Sequence, residues 1–320
     1  MSRVHSCGAF GYLMTSFDPM SQRRIPWVSA FSFVFILNFA EAIFAQSTSE
    51  RFEPELFAFQ TGFANADSKA PKDLVRLVDE SGFDGVELMG LDQLHEFLPH
   101  LRSRGLKLHS LYLKLDLDQP DRPLDPRWND MLNRHGSEMH AVWFHIHSQK
   151  YGRSDPAGDS ECVKILRRIS DQVSSYKMTI GIYQHVGLWA ERFSDGVRVA
   201  RKVDRPNVGA VFNLCHYLKT VGAENLEKEL SDAFPHLALV SINGADQGET
   251  TSMGWGKLIQ PLDQGTFDVT RVLRVLKNRG YEGPIGLQGF GIREKPEVFF
   301  PRSVAAYQGL LEKVNHEIDP

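Results

Sequence analysis

From Leu56 onward, short apolar runs rich in Val, Ile, Leu and Phe alternate eight times with longer amphipathic stretches. Runs this short, bounded by turn residues, read as strands buried on both faces, and the stretches between them carry helical periodicity. Strands are predicted at 56–61, 85–89, 106–113, 141–147, 178–184, 208–214, 237–243 and 284–287. Gly82, Gly105 and Gly280 follow predicted helices, where a left-handed C-cap would release the chain into the next strand. Helix starts are marked by Asp125-Pro126, by Asp159-Ser160 with Glu161, and by Asp268 ahead of Val269. Such regular alternation implies a parallel sheet sheathed in helices, and eight units over roughly 250 residues fit a closed (β/α)8 barrel, the α/β class known as the TIM barrel. The competitor, an open doubly wound sheet, would carry Gly-x-Gly-x-x-Gly after its first strand; none is present, nor any Gly-x-Ser-x-Gly elbow or Walker-type phosphate loop. The reading is one barrel domain over residues 50–320.

The region ahead of the barrel follows a different pattern. Arg23 and Arg24 precede an apolar run over 25–40, and small residues follow at Ala40, Ala42 and Ala45. This is the layout of a signal peptide, and the run falls short of the roughly 20 residues that span a bilayer. Residues 1–45 are therefore read as a presequence, with Met20 as the true start, and the chain is expected to be exported to the periplasm or secreted, with no stable membrane anchor.

Composition narrows the partners. With 36 Lys+Arg against 40 Asp+Glu there is no global basic field, so a nucleic acid partner is not expected. Cys7, Cys162 and Cys215 show no Cys-x-x-Cys spacing, which argues against a disulfide framework and a structural zinc site. Nothing in the pattern fixes an oligomeric state.

In such barrels the chemistry sits at the C-terminal ends of the strands. There the sequence places Glu87, His109, Tyr112, His145, His147, Gln184, His185, Asn213, His216, Asn243 and Gln288, while His140 and the other barrel histidines fall in predicted helices or their ends. One such histidine is as readily a satisfied core side chain as a catalyst, but the set predicts a polar pocket. His145-x-His147 puts two imidazoles on one strand face; with His185 and His216 they form a nitrogen-rich site for a divalent transition metal, or else they hydrogen-bond and pack within the wall. Segment 244–265 is long for a βα connection and reads as a lid or a structural cover carrying Trp255 and Lys257. Trp255 and Trp189 are candidates to stack on a sugar ring. Carboxamides, which donate and accept, suit sugar hydroxyls.

The segments 82–88 (GFDGVEL), 104–111 (RGLKLHSL), 180–185 (IGIYQH), 207–216 (NVGAVFNLCH), 262–268 (LDQGTFD) and 279–288 (RGYEGPIGLQ) together resemble the xylose isomerase-like TIM barrels. That family includes sugar isomerases and epimerases, inosose dehydratases and family-2 apurinic endonucleases. The resemblance implies the barrel, a small carbohydrate substrate, and a divalent metal held by Glu on strand five, Asp on six, His on seven and Glu on eight. At those positions this chain has Tyr183 or Gln184, Asn213, Asn243 and Gln288, so the carboxylate charge that would hold a hard cation is lost. Resemblance and polar strand ends point to a carbohydrate-directed isomerase, epimerase or lyase that moves a proton beside a carbonyl. Glu87, His185 and His216 are its acid/base candidates. Gln184, Trp189, Asn213, Asn243, Trp255, Lys257 and Gln288 are expected to face the substrate, and His145 and His147 to hold the metal if one is bound. The alternative is a non-catalytic sugar-binding barrel that has lost its metal.

Overall fold

Eight parallel strands close on themselves in chain order in the computed structural model, which describes residues 51–317. They are β1 (Leu56–Ala58), β2 (Gly85–Met89), β3 (Lys107–Asp116), β4 (Met139–His147), β5 (Thr179–Tyr183), β6 (Val208–Asn213), β7 (Leu237–Ile242) and β8 (Ile285–Leu287), with β8 pairing back onto β1. Around them run α1 (Pro71–Ser81), α2 (Leu94–Arg104), α3 (Trp128–His135), α4 (Asp159–Val173), α5 (Phe193–Val203), α6 (Leu214–Val221), α7 (Leu226–Ala233), α8 (Trp255–Leu258), α9 (Thr270–Arg279) and α10 (Pro296–His316). Gly82, Gly105 and Gly280 take positive φ at the ends of α1, α2 and α9, as their position after each helix predicts. Asp268 accepts from Thr270 N–H at the start of α9. Residues 1–45, read above as a presequence, lie outside the described residues.

Strand ends differ from expectation where side chains intervene. β1 stops at Ala58 because the chain turns into a 3-10 helix, Gln60–Asn65, whose Gln60 Oε1 takes the N–H of Met89 across the mouth. β6 stops at Asn213 because that side chain caps α6. β3 runs on to Asp116, pairing Lys114 with His145 and Asp116 with His147.

Two cores hold the barrel. One lies between strands and helices; the other fills the barrel itself with Phe57, Phe59, Trp143, Tyr183, Val211 and Leu239. Interior glycines make room for these rings. A Cβ on Gly286 would lie 2.3 Å from Phe59 Cε1, and one on Gly181 would lie 2.5 Å from Val211 Cγ2. Overpacking of this kind costs about 1–3 kcal/mol.

His109 closes the opposite end. It is not at a C-terminal strand end: it lies near the start of β3, buried against the Phe57 ring at 5.0 Å, and burial pushes its pKa down to about 4. His140 is likewise not helical but the second residue of β4, its ring 5.7 Å from that of His109. Both histidines belong to the floor of the barrel, remote from the mouth.

Candidate active site at the barrel mouth

The C-terminal ends of the strands surround a cavity of about 330 Å³. Its polar lining is Thr61, Glu87, Tyr183, His185, His216 and Gln288. Glu87 occupies the middle of β2 and points inward, 1% exposed, with Oε2 unpartnered among the described residues. Burial pushes its carboxyl well above the ordinary range, opposed only by the weaker pull of the Trp143 indole. Such a carboxyl keeps its proton toward neutral pH and can give it up to a ligand.

His185 follows β5 and His216 sits in the first turn of α6, with ring centroids 4.4 Å apart. The backbone of Val186 orders both rings. Its carbonyl pairs with His185 Nδ1 at 2.8 Å, and since a carbonyl only accepts, Nδ1 carries the proton and Nε2 is bare. Its N–H donates to His216 Nδ1 at 3.4 Å, which leaves the His216 proton on Nε2. Burial lowers the pKa of His185, and burial with the neighbouring His185 lowers that of His216 further, so both stay neutral. One histidine therefore offers a base and the other a donor.

A ring of hydrogen bonds supports them. Asn213 Nδ2 donates to Tyr183 Oη at 2.6 Å and to Ser241 Oγ at 2.7 Å, while its Oδ1 accepts from His216 N–H at 3.1 Å. Gln288 Nε2 donates to Tyr183 Oη at 3.4 Å, and Thr61 Oγ1 donates to Gln288 Oε1 at 2.9 Å. Tyr183 Oη accepts from two amides, so its own O–H is left for a ligand oxygen at the cavity wall.

The structure brings Glu87, Tyr112, His185, His216, Trp255 and Gln288 to the cavity, and of the other residues expected to face a substrate or a metal it places none in the lining. Gln184 is buried with Nε2 on the Asn213 carbonyl, and Asn213 itself lies beneath the surface as a support. Asn243 Nδ2 holds the Gly244 and Leu258 carbonyls, pinning α8 and its loop over the mouth. Trp189 is not a stacking platform. Its ring is buried over Gly158, with Nε1 donating to the Asp155 carbonyl. Lys257 points to solvent and pairs with Asp246 at 2.8 Å. His145 and His147 do not converge with the other two histidines on one ion; they hydrogen-bond each other, Nδ1 to Nε2 at 2.8 Å, and His145 stacks on Tyr112 at 4.3 Å. Sequence reasoning missed the apolar wall, namely Phe59, Met89, Val186, Ile259 and Phe290. The Phe57-x-Phe59 alternation carried a signal for its first member; Phe290, in a loop, carried none.

A family model described as the xylose isomerase-like TIM barrel matches residues 75–306. The chain belongs to that family. Among solved structures, it is similar to a xylose isomerase-like TIM barrel/4-hydroxyphenylpyruvate dioxygenase fusion protein, with TM-score 0.64 and 18% identity over 84% of this chain. It spans only 46% of that fusion protein. It is also similar to the D-allulose 3-epimerase from Methylomonas sp., with TM-score 0.61 and 16% identity over 81% of this chain and 99% of that one. The IOLI protein with a bound zinc atom gives TM-score 0.59 and 16% identity over 81% of this chain and 97% of that one. At these identities the likeness is one of fold. No protein of curated function matches the chain.

The residues of this xylose isomerase-like barrel do not fit the divalent metal that the resemblance implies. Asn213 Oδ1 accepts from His216 N–H, and Gln288 Oε1 accepts from Thr61 Oγ1–H and Phe290 N–H. The amide oxygens that could ligate a cation at these two positions are thus already engaged, and no carboxylate stands among Tyr183, Asn213, Asn243 and Gln288. Among the described residues, no group of three or more His, Cys, Asp or Glu side chains is placed to hold a metal ion.

Proposed function

We propose that this chain is a carbohydrate-directed isomerase or epimerase that moves a proton beside a carbonyl with neutral side chains. The observation that carries the reading is the opposed tautomers of His185 and His216 in one cavity, with the raised Glu87 carboxyl beside them. Epimerase chemistry among barrels of the same fold supports the substrate class. His185 Nε2 takes the proton from the carbon next to the carbonyl. As charge builds on the carbonyl oxygen, His216 Nε2–H and Tyr183 Oη–H donate to it, and the Glu87 carboxyl supplies a proton where neutralisation is needed. The protonated His185 then returns its proton to carbon while an enediol hydroxyl gives its proton back to the Glu87 carboxylate, which re-forms the carbonyl and restores both side chains. A neutral imidazole is suited to the donor role because its lowered pKa brings it closer to that of the developing enediolate.

The test is solvent deuterium uptake, followed by NMR, for a panel of aldoses and ketoses in D₂O. Uptake at the carbon beside the carbonyl is expected, and His185→Ala lowers it about a hundredfold or more. Tight binding of an unchanged sugar with no uptake would replace this reading by the sugar-binding barrel. We also propose that the protein works outside the cytoplasm, on the layout of residues 20–45 alone. N-terminal sequencing of the mature chain tests this, with a start near Gln46 expected and one at residue 1 or 20 contradicting it.

A further inference from the structure

The cavity has two storeys of opposite chemistry. Its depth carries Glu87, His185 and His216; its rim carries Met89, Trp255 and Phe290, which are 44%, 37% and 59% exposed. Among the described residues only five large hydrophobic side chains are this exposed, and three of them ring this one opening. Isolated apolar side chains at a surface mean little, but a contiguous set around a concave site marks a ligand contact. The three arrive from the end of β2, from α8 and from the segment after β8, so the fold, not local sequence, gathers them.

The rim is held in place before any ligand arrives. Met89 N–H is clamped by Gln60 Oε1 at 2.6 Å, and Phe290 N–H by Gln288 Oε1 at 2.9 Å. Trp255 packs edge-on to His216 at 5.3 Å, above the donor histidine. Phe59, Tyr112 and Ile259 continue the apolar wall inward. A bare hexose matches this poorly. Its one C–H face satisfies one aromatic ring and leaves the rest of the apolar rim uncovered.

We infer that the substrate is a sugar bearing an apolar or aromatic substituent, a glycoside with an aryl or hydrocarbon aglycone whose reacting carbonyl is a ketone on the sugar ring, because the anomeric carbon of a glycoside is locked as an acetal. Its sugar carbons meet Glu87, His185 and His216, and its aglycone leaves through the ring of Met89, Trp255 and Phe290. This rests on the sugar-directed reading above and names the substrate class within it.

Matched phenyl and methyl glycosides of the common hexoses, with phenol as a third probe, are titrated against the full protein while tryptophan fluorescence is followed. For the hexose that binds, the phenyl glycoside is expected to bind at least about tenfold more tightly than the methyl one, the change that 1.4 kcal/mol makes. Phe290→Ala combined with Met89→Ala brings the phenyl-to-methyl affinity ratio to about one. Both residues are solvent-facing, so thermal unfolding should be unchanged, and Phe290→Leu, which keeps the fold and part of the contact, gives an intermediate ratio. Equal binding of phenyl and methyl glycosides overturns the inference and leaves the sugar reading standing. Phenol binding without preference for any glycoside overturns the sugar reading, and the inference with it. No binding by any of the probes overturns the inference.

Discussion

Two histidine pairs stand at the mouth of this barrel, one on β4 and the other just past β5 and β6, and their backbones give them opposite fates. His145 and His147, on β4, spend a nitrogen each on the other, and Tyr112 covers the face of His145. His185 and His216 turn their Nδ1 atoms to the carbonyl and the N–H of Val186, and each Nε2 is left without a protein partner among the described residues. The number of imidazoles is the same, and burial lowers the basicity of all four. What differs is where the second ring nitrogen is committed. A histidine becomes available for proton transfer when the backbone takes one nitrogen and nothing takes the other.

The largest effect expected from this contrast is on turnover. His185→Ala or His216→Ala should lower solvent exchange about 10²-fold or more, while His145→Ala and His147→Ala leave it near wild type. Comparable losses from all four would erase the distinction. The pH profile sharpens it. His185 must be neutral, and burial holds its pKa below 6.5, so the rate should persist as pH falls through 6.5 and decline only below that. On the basic side the rate should fall as Glu87 loses its proton, above the ordinary carboxylate range.

A third histidine supplies the control for protonation without chemistry. His109 titrates at about 4 when folded and near 6.5 when unfolded, so the unfolded chain binds the extra proton first. Its contribution is intact above 6.5 and is lost as pH falls from 6.5 through 4, up to about 3 kcal/mol. His109→Phe, stacking on Phe57, should flatten that part of the stability curve and leave exchange kinetics alone. Glu87 has the opposite sign. Its folded pKa is raised, so its stabilising contribution is present below 4.5 and is lost as pH rises through the folded pKa. Glu87→Gln should therefore unfold at a higher temperature than wild type at pH 8, lose that advantage at pH 4, and turn over more slowly at both.

Smaller effects are expected at the β4 pair. His145→Ala gives up its stacking on Tyr112, about 0.5–1.5 kcal/mol of stability. Treatment with EDTA should leave exchange unchanged, because the ring of Tyr183, Asn213, Ser241 and Gln288 holds no donor set for a cation. A chelator that abolished exchange would return the β4 pair to the status of metal ligands and collapse the comparison.

The barrel was legible because its signals are local. Apolar runs, glycine caps such as Gly82, and the acidic start of α4 each occupy a few consecutive residues, and all eight strands fall where the runs do. The mouth was legible in part. Alternation along a strand places Glu87 inward, and a residue just past β5 or β6 has to meet the opening. Trp189 failed because its fate is decided by Asp155 and Gly158, some thirty positions earlier, which no spacing rule relates to it. His109 failed for another reason: β3 is long, and counting polar residues does not say which end of a ten-residue strand they occupy. Phe290 lay in a loop, where neither periodicity applies, and only the assembled mouth shows what it borders.

Asn213 carries a consequence of a different kind. Its Oδ1 caps α6 and its Nδ2 holds the hydroxyls of Tyr183 and Ser241. An aspartate would cap that helix about as well, and both hydroxyls could rotate to donate to it instead of accepting. The architecture is therefore indifferent to whether this position is amide or acid. In terms of descent, the hydrogen bonds at this position ask only for a capping oxygen, so an exchange of amide for acid there would leave the same partners within reach.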